Sequence, residues 1–353
     1  MDRPKVALTM GDVAGVGPEL IARAWSDPAL HALCAPLVVG SVAVLRRALA
    51  LGAVASPARI QPIARPEEAD PSPLLVPCLE PPGATDVSGV EPRAVDARAG
   101  RGAYEYLVHA IDLALAHRVD AIMTLPLNKE ALSRAGVHHP GHTEILAERC
   151  GTPDHAMMLY LPAEAPPADP NAAPGLGVVH VTLHMALRDV FAAITIDSVA
   201  AKIRLADRAL RPLTEGRRPR IALASLNPHA GENGLFGDEE ITTIRPAVAL
   251  TKAEGLDVSG PFPNDTLFKE ALSGTFDAVV AMYHDQGHIA LKTVGFSRGV
   301  NITLGLPIVR TSVAHGTAFD IAWEGLADPS SLIEAVRAAS RMVLWNRRAA
   351  SSP

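Results

Sequence analysis

Strand-like and helix-like runs alternate almost from one end of this 353-residue chain to the other. Short apolar runs recur at Lys5–Met10, Pro36–Gly40, Ala121–Thr124, Val178–Thr182, Ile221–Leu226, Asp277–Met282 and Val300–Leu304. Helical patterns lie between many of them. Pro18–Trp25 has proline in its first turn, and Ser41 opens Val42–Leu51. Gly102–His117 carries Tyr106, Ala110 and Leu113 on one face, and a further helix begins at Lys129–Arg134. Leu187–Leu210 reads as one long helix. Glu239–Ala253 has Ile241, Ile244 and Val248 at helical spacing, with Pro246 marking a kink or a stop. Ser331–Trp345 opens on a Ser331…Glu334 capping box. Such alternation predicts an α/β protein with a largely parallel sheet and helices on both faces. Ligands of such sheets bind at the carboxyl ends of the strands, so the loops after strands are where chemistry is expected.

Composition narrows the class. The chain is 48% apolar, which supplies a sizeable core. Lys and Arg number 32 against 38 Asp and Glu, with no basic block, so nucleic acid is not an expected partner. No run of 18 apolar residues predicts a membrane span, and the first residues lack the apolar stretch of a secretory signal, giving an expectation of a cytoplasmic protein. Three cysteines, Cys34, Cys78 and Cys150, lie far apart without a C-x-x-C, which disfavours a disulfide framework or a zinc ribbon. The proline-rich stretch 162–174 reads as a loop.

Five constellations hold side chains that could carry chemistry. Gly11-Asp-Val-Ala-Gly15-Val-Gly17 joins the first strand to the first helix and can turn amide N–H groups toward an anion or a carbonyl, or be a plain tight turn. It matches neither a Walker A loop nor G-x-G-x-x-G. Gly141-His142-Thr143-Glu144 opens a helix and could hold a carboxylate or phosphate, or simply cap that helix. His184, His229 and His284 each follow a predicted strand. Three imidazoles on one rim could bind a divalent metal with positions left open, or be scattered loop residues among 13 histidines. Lys292, Arg298, Asn301 and Arg310 suit a small anionic substrate, or are solvated surface charge, which fits Arg298 well and Arg310, inside an apolar stretch, poorly. His315-Gly316-Thr317-Ala318, before Asp320, could embrace an adenine or ribose, or be an ordinary strand–helix connection.

Taken together, Gly11–Leu20, Gly141–Glu144, Leu183–Asp189, Leu226–Glu232, Pro263–Phe268, Met282–Gly287 and Gly299–Pro307 through His315–Ala318 resemble the 4-hydroxythreonine-4-phosphate dehydrogenase family of pyridoxal phosphate biosynthesis. The segments run nearly end to end, in family order. The resemblance implies an isocitrate/isopropylmalate-dehydrogenase-like fold, with two α/β/α domains around a cleft and an active site at a homodimer interface. The expected domains are 1–125 with 297–353, on the cofactor side, and 126–296, on the metal and dimer side. The family's three metal ligands fall on His184, His229 and His284, and its substrate contacts on His142, Thr143, Lys292, Asn301 and Arg310. The cofactor stretch falls on His315, Gly316, Thr317, Ala318 and Asp320.

The implied reaction is NAD- or NADP-linked oxidation of 4-phosphohydroxy-L-threonine at C3. The 3-keto acid loses CO2 to give 3-amino-2-oxopropyl phosphate, with Zn2+, Mg2+ or Co2+ as the metal. Lys292 and Asp265 are the proton-transfer candidates, and Asp285 either orients His284 or caps a turn. Met10 and Val13 stand where the family has prolines. His288 is a second departure, and resembles a paralogous branch acting on 4-phospho-D-threonate or 4-phosphoerythronate. An aromatic cis-dihydrodiol dehydrogenase and a phosphate acyltransferase are the remaining alternatives.

Overall fold

A computed structural model describes residues 3–54, 56–164, 173–295 and 297–351. Most of the proline-rich stretch lies outside them. The chain forms two compact units, Met1–Pro153 with Leu306–Pro353, and Asp154–Gly305. Strands β1 (Lys5–Thr9), β2 (Ala35–Val39), β3 (Arg59–Ile63), β4 (Leu75–Leu79) and β5 (Ala121–Thr124) belong to the first unit. Strands β6 (Ala156–Pro162), β7 (Gly175–His180), β8 (Ile221–Ala224), β9 (Val258–Phe262), β10 (Ala278–Ala281) and β11 (Val300–Leu304) belong to the second, and β12 (Val309–Val313) returns to the first. The helices are α1 (Gly17–Trp25), α2 (Pro28–Leu33), α3 (Val42–Leu49), α4 (Ala97–Leu115), α5 (Lys129–Arg134), α6 (His142–Cys150), α7 (Leu187–Ala193), α8 (Ile196–Leu210), α9 (Arg245–Ala253), α10 (Asn264–Leu272), α11 (His284–Gly295) and α12 (Ser330–Ser351).

In the first unit the strand order is β3-β4-β2-β1-β5-β12, and every pairing is parallel. β1, β5 and β12 are almost wholly buried. That explains the largely apolar character of β1 and β5 without alternation, since a strand covered on both faces needs no polar side; β12 is buried too but carries Arg310, Thr311 and Ser312. In the second unit the order is β11-β6-β7-β10-β8-β9. Here β7, β10, β8 and β9 run parallel, while β6 is antiparallel to both β7 and β11. The largely parallel α/β architecture expected from the alternation is therefore present.

Three local expectations are revised. Leu187–Leu210 is two helices, because Ile194 turns extended and Thr195 caps α8 through a reciprocal pair with Ser198. The run before Pro246 is a π-helical turn, Glu240–Ile244, after which α9 starts with that proline in its first turn, where its missing N–H costs nothing. Ser331 lies inside α12, where its hydroxyl accepts from the Ala314 N–H, and Asp328 accepts from the Ser330 N–H at 2.9 Å.

The units also divide differently from the expected 125/126 and 296/297. Residues 126–153 join the first unit because α5 and α6 pack on α4. Gly100 of α4 sits so close to the Ala131 carbonyl that a Cβ there would lie 2.2 Å from its oxygen, and Arg149 pairs with Asp112 at 2.8 Å. Val300–Gly305 joins the second because β11 pairs with β6.

Candidate functional site

The second unit gathers the histidines. β10 lies between β7 and β8, and all three are parallel, so their carboxyl ends share one edge of the sheet. His184 follows β7, His229 follows β8, and His284 opens α11 directly after β10. The rings of His184 and His284 stand with centroids 5.6 Å apart and planes 43° from parallel. They line one hollow with Leu183, Leu187, Tyr283 and Asp285. His284 Nδ1 meets Asp285 Oδ1 at 2.7 Å, which makes that nitrogen the donor and leaves Nε2 with its lone pair. Asp285 therefore orients the imidazole, the first of the two roles expected for it.

Two further imidazoles pack behind, which the sequence reading did not select as site residues. His288, one turn along α11, stacks on His284 with centroids 3.9 Å apart and planes 6° from parallel. Its Nδ1 lies 3.1 Å from Nε2 of His180, the last residue of β7. Both are buried, at 8% and 1% exposure. Burial and the neighbouring imidazoles push His288 down to about 4 and His180 to about 3, so both stay neutral near pH 7. The i, i+4 spacing of His284 and His288 was a readable signal. His180 gave none, because the last residue of a buried strand reads as core.

His229 is held differently. Residues His229, Ala230, Gly231, Glu232 and Asn233 all have positive φ. Such backbone is costly away from glycine and persists only where surroundings hold it. Glu240, fully buried, does much of the holding, since its Oε1 accepts from the Leu226 and Asn227 N–H groups at 2.7 and 2.8 Å. Gly231 packs so that a Cβ would fall 2.7 Å from Glu240 Oε2. Gln286 ties the loops after β8 and β10 together, donating to the Ser225 carbonyl at 2.7 Å and accepting from the Met282 N–H. The His229 ring itself sits 6.5 Å from Phe236. Among the described residues no three His, Cys, Asp or Glu side chains are gathered tightly enough to hold a metal as they stand.

The remaining second-unit candidates are Lys292, Asn301 and Asp265, and Asn301 lies level with Val178 in mid-sheet rather than at this edge. Lys292 is half-buried on α11, at i+8 from His284, so His284, His288 and Lys292 follow one another along one helix face. Asn301, on β11, donates to Met157 Sδ at 3.2 Å. Asp265 is exposed in the first turn of α10, and its neighbour Asn264 makes the tie to the Ser225 carbonyl, at 3.0 Å.

In the first unit His142 and Thr143 open α6 after Gly141, both half-buried. Arg310 is buried at 2% exposure on β12 and donates to the Thr124 hydroxyl at 2.6 Å. Burial pushes its guanidinium down to about 9, opposed by the Glu144 charge. Loss of water and the Arg310 charge hold His142 well below the usual histidine range. So His142, Glu144 and Arg310 are within electrostatic reach of one another, and a buried cation beside a neutral imidazole suits an anion.

The His315–Ala318 turn packs against the glycine loop of the same unit. The Val16 N–H donates to the Thr317 carbonyl at 3.0 Å, and a Cβ on Gly15 would meet Thr317 at 2.9 Å. Trp323 closes the rear, its indole N–H donating to the Val13 carbonyl at 3.0 Å. Gly316 and Asp320 are exposed, and Ala318 has φ of 43°.

The chain is similar to known proteins along nearly its whole length. The family model described as pyridoxal phosphate biosynthetic protein PdxA matches residues 32–339. The chain belongs to this family. A D-threonate 4-phosphate dehydrogenase of Pectobacterium atrosepticum is 46% identical over 96% of this chain and 98% of that protein. A 4-hydroxythreonine-4-phosphate dehydrogenase of Trichlorobacter lovleyi is 44% identical over 96% and 98%. A crystal structure of 4-hydroxythreonine-4-phosphate dehydrogenase from Klebsiella pneumoniae superposes with TM-score 0.82 at 45% identity, covering 96% of this chain and 99% of that one. These relatives are dehydrogenases, and this member of the family is an enzyme of that oxidoreductase class. No helix among the described residues is long and apolar enough to cross a membrane.

Proposed function

We propose that this PdxA-family enzyme oxidises the C3 alcohol of a 4-phosphorylated four-carbon hydroxy acid, with 4-phosphohydroxy-L-threonine as substrate. The 3-keto acid then loses CO2, giving 3-amino-2-oxopropyl phosphate. The observation that carries the reading is the delivery of His184, His229 and His284 to one sheet edge by three adjacent parallel strands. A second substrate, 4-phospho-D-threonate, is favoured by His288 beside His284 and by the 46% identity to a D-threonate 4-phosphate dehydrogenase.

The donor set fits a divalent ion. His184 and His284, side by side with centroids 5.6 Å apart, would supply two of the nitrogen donors that such an ion takes. Asp285 leaves Nε2 of His284 free for this, and His229 on the adjacent strand's loop is the third donor. When bound, the ion supplies a Lewis acid toward the substrate oxygens and the nicotinamide of NAD or NADP accepts the hydride. Histidine donors favour Zn2+ or Co2+ over Mg2+.

The protein's own groups do the rest. Arg310, His142 and Thr143 bind and orient substrate anion, and Asn301 holds a polar substrate group. Lys292, on the His284 face of α11, is assigned to proton transfer, with Asp265 as the second candidate. The His315–Ala318 turn and Asp320 receive the cofactor.

A homodimer is part of the reading. Leu187, Phe191, Leu235, Phe236, Ile289 and Val294 are all at least half exposed, and all lie on the histidine loops and helices of the second unit. An apolar surface of this kind suits a self-complementary subunit contact.

The test is formation of NADH and, separately, NADPH with added Zn2+, Co2+ or Mg2+ on 4-phosphohydroxy-L-threonine, 4-phospho-D-threonate and 4-phospho-D-erythronate. Turnover of the first is expected. Turnover of the second alone would move the enzyme to sugar-acid catabolism. Full activity in a metal-free His229→Ala protein would overturn the metal reading.

A further inference from the structure

We propose that His288, locked by His180, is a positioning residue that sets the ring plane of His284 and is not itself a metal ligand; this rests on the assignment of His284 as a ligand. Hydrogen placement follows from the partners of each ring nitrogen. His288 Nδ1 lies 3.2 Å from the His284 carbonyl and 3.1 Å from His180 Nε2. The carbonyl only accepts, so His288 Nδ1 carries the proton and His180 Nε2 receives it. His180 then carries its own proton on Nδ1, a buried atom with no hydrogen-bond partner among the described residues. The His288–His180 pair is thereby fixed in direction, and His180 anchors it at the buried end of β7.

Packing tightens the lock. Gly287 precedes His288, and a Cβ there would lie 2.5 Å from both His180 Nε2 and Val178 Cγ1. The first turn of α11 is seated on β7 with no slack for His288 to swing. Its flat face then lies against His284 at 3.9 Å.

The angle decides between positioning and ligation. An imidazole donates its lone pair in the plane of its ring. Rings stacked 6° from parallel send their lone pairs side by side, so His284 and His288 do not converge on one ion. His184 and His284, inclined at 43° with centroids 5.6 Å apart, are under no such restriction. Asp285 holds His284 at its edge and His288 holds it at its face, which together define the direction of Nε2. Partners of this kind affect metal affinity by about 10–100-fold.

The experiment is Co2+ binding to the purified full-length protein, followed by its visible absorption and by competition with a chromogenic chelator, with far-UV circular dichroism to confirm folding. His288→Leu fills the space without a flat face, and His288→Phe restores one. Expected is a 10–100-fold loss of Co2+ affinity with an altered visible spectrum in His288→Leu, and recovery of both in His288→Phe. Wild-type affinity and spectrum in a folded His288→Leu protein would overturn the proposal. So would a His288→Phe protein as weak as His288→Leu, which would make His288 a ligand. If His288→Leu does not fold, near-wild-type binding by His288→Phe is still required. A wild-type protein that binds no Co2+ would overturn the metal reading itself, an outcome distinct from the others.

Discussion

Arg310 on β12 donates to the hydroxyl of Thr124 on the neighbouring β5 at 2.6 Å, and almost none of its surface reaches solvent. Keeping a guanidinium in such a place costs free energy, and the downward push of its pKa to about 9 reports that cost. Arg310→Met is therefore expected to fold at least as stably as the wild type while raising KM for the phosphorylated substrate by 100-fold or more. Added phosphate should raise the wild-type Tm and leave the variant's unchanged. Loss of stability with an unchanged KM would make Arg310 a structural cation.

Asp12, in the glycine loop, gives the second prediction. Burial pushes its carboxyl up to about 6, although Oδ1 accepts from the Ala14 N–H at 2.9 Å. A raised acid favours the folded state fully below its unfolded pKa of about 3.8, and that contribution is lost as pH rises through about 6. The difference amounts to about 3 kcal/mol. Asp12→Asn keeps the Oδ1 acceptor and removes the charge. It should be more stable than wild type at pH 7.5 and indistinguishable near pH 4, as read by urea unfolding at both pH values.

How much of this was legible beforehand depends on what each residue does locally. His184, His229 and His284 stood out because apolar runs announce strands and the residues after strands are few. That their strands are neighbours was not readable, since β10 inserts between β7 and β8 only in the folded sheet. His180 was hidden by its strand and Glu240 by its helical surroundings. Both act through tertiary contacts, which leave no mark on periodicity. The break at Thr195 was readable, because Thr195 and Ser198 are spaced as a reciprocal cap. The assignment of α5 and α6 to the first unit was not, because it rests on Gly100 fitting under Ala131.

Asp277 carries the acid side of stability. Its carboxylate is 1% exposed and pairs with Arg217 at 2.6 Å and Arg220 at 3.2 Å, while the Arg220 N–H donates at 2.7 Å. Burial alone would raise its pKa, but these partners hold it below the ordinary carboxylate value. Its contribution is present above the unfolded pKa of about 3.9 and is lost as pH falls through the lower folded value. Asp277→Ala strands two guanidinium groups and should cost about 3–5 kcal/mol in chemical denaturation at pH 7.

Glu240 links stability to the site. It accepts from two backbone N–H groups of the Leu226–Asn227 segment, and its Oε2 receives the Asn227 side chain at 3.0 Å. Those contacts hold the start of the loop whose left-handed residues present His229. Removing them leaves buried donors unpaired, at about 1–3 kcal/mol, and releases the backbone that carries the histidine. Glu240→Ala should therefore lower kcat at least tenfold and weaken metal retention, although Glu240 itself supplies no ligand. Glu240→Gln keeps an oxygen for the Leu226 and Asn227 amides and should retain most of both. Equal losses in the two variants would show that the negative charge of Glu240, rather than its grip on the backbone, is what the His229 loop requires.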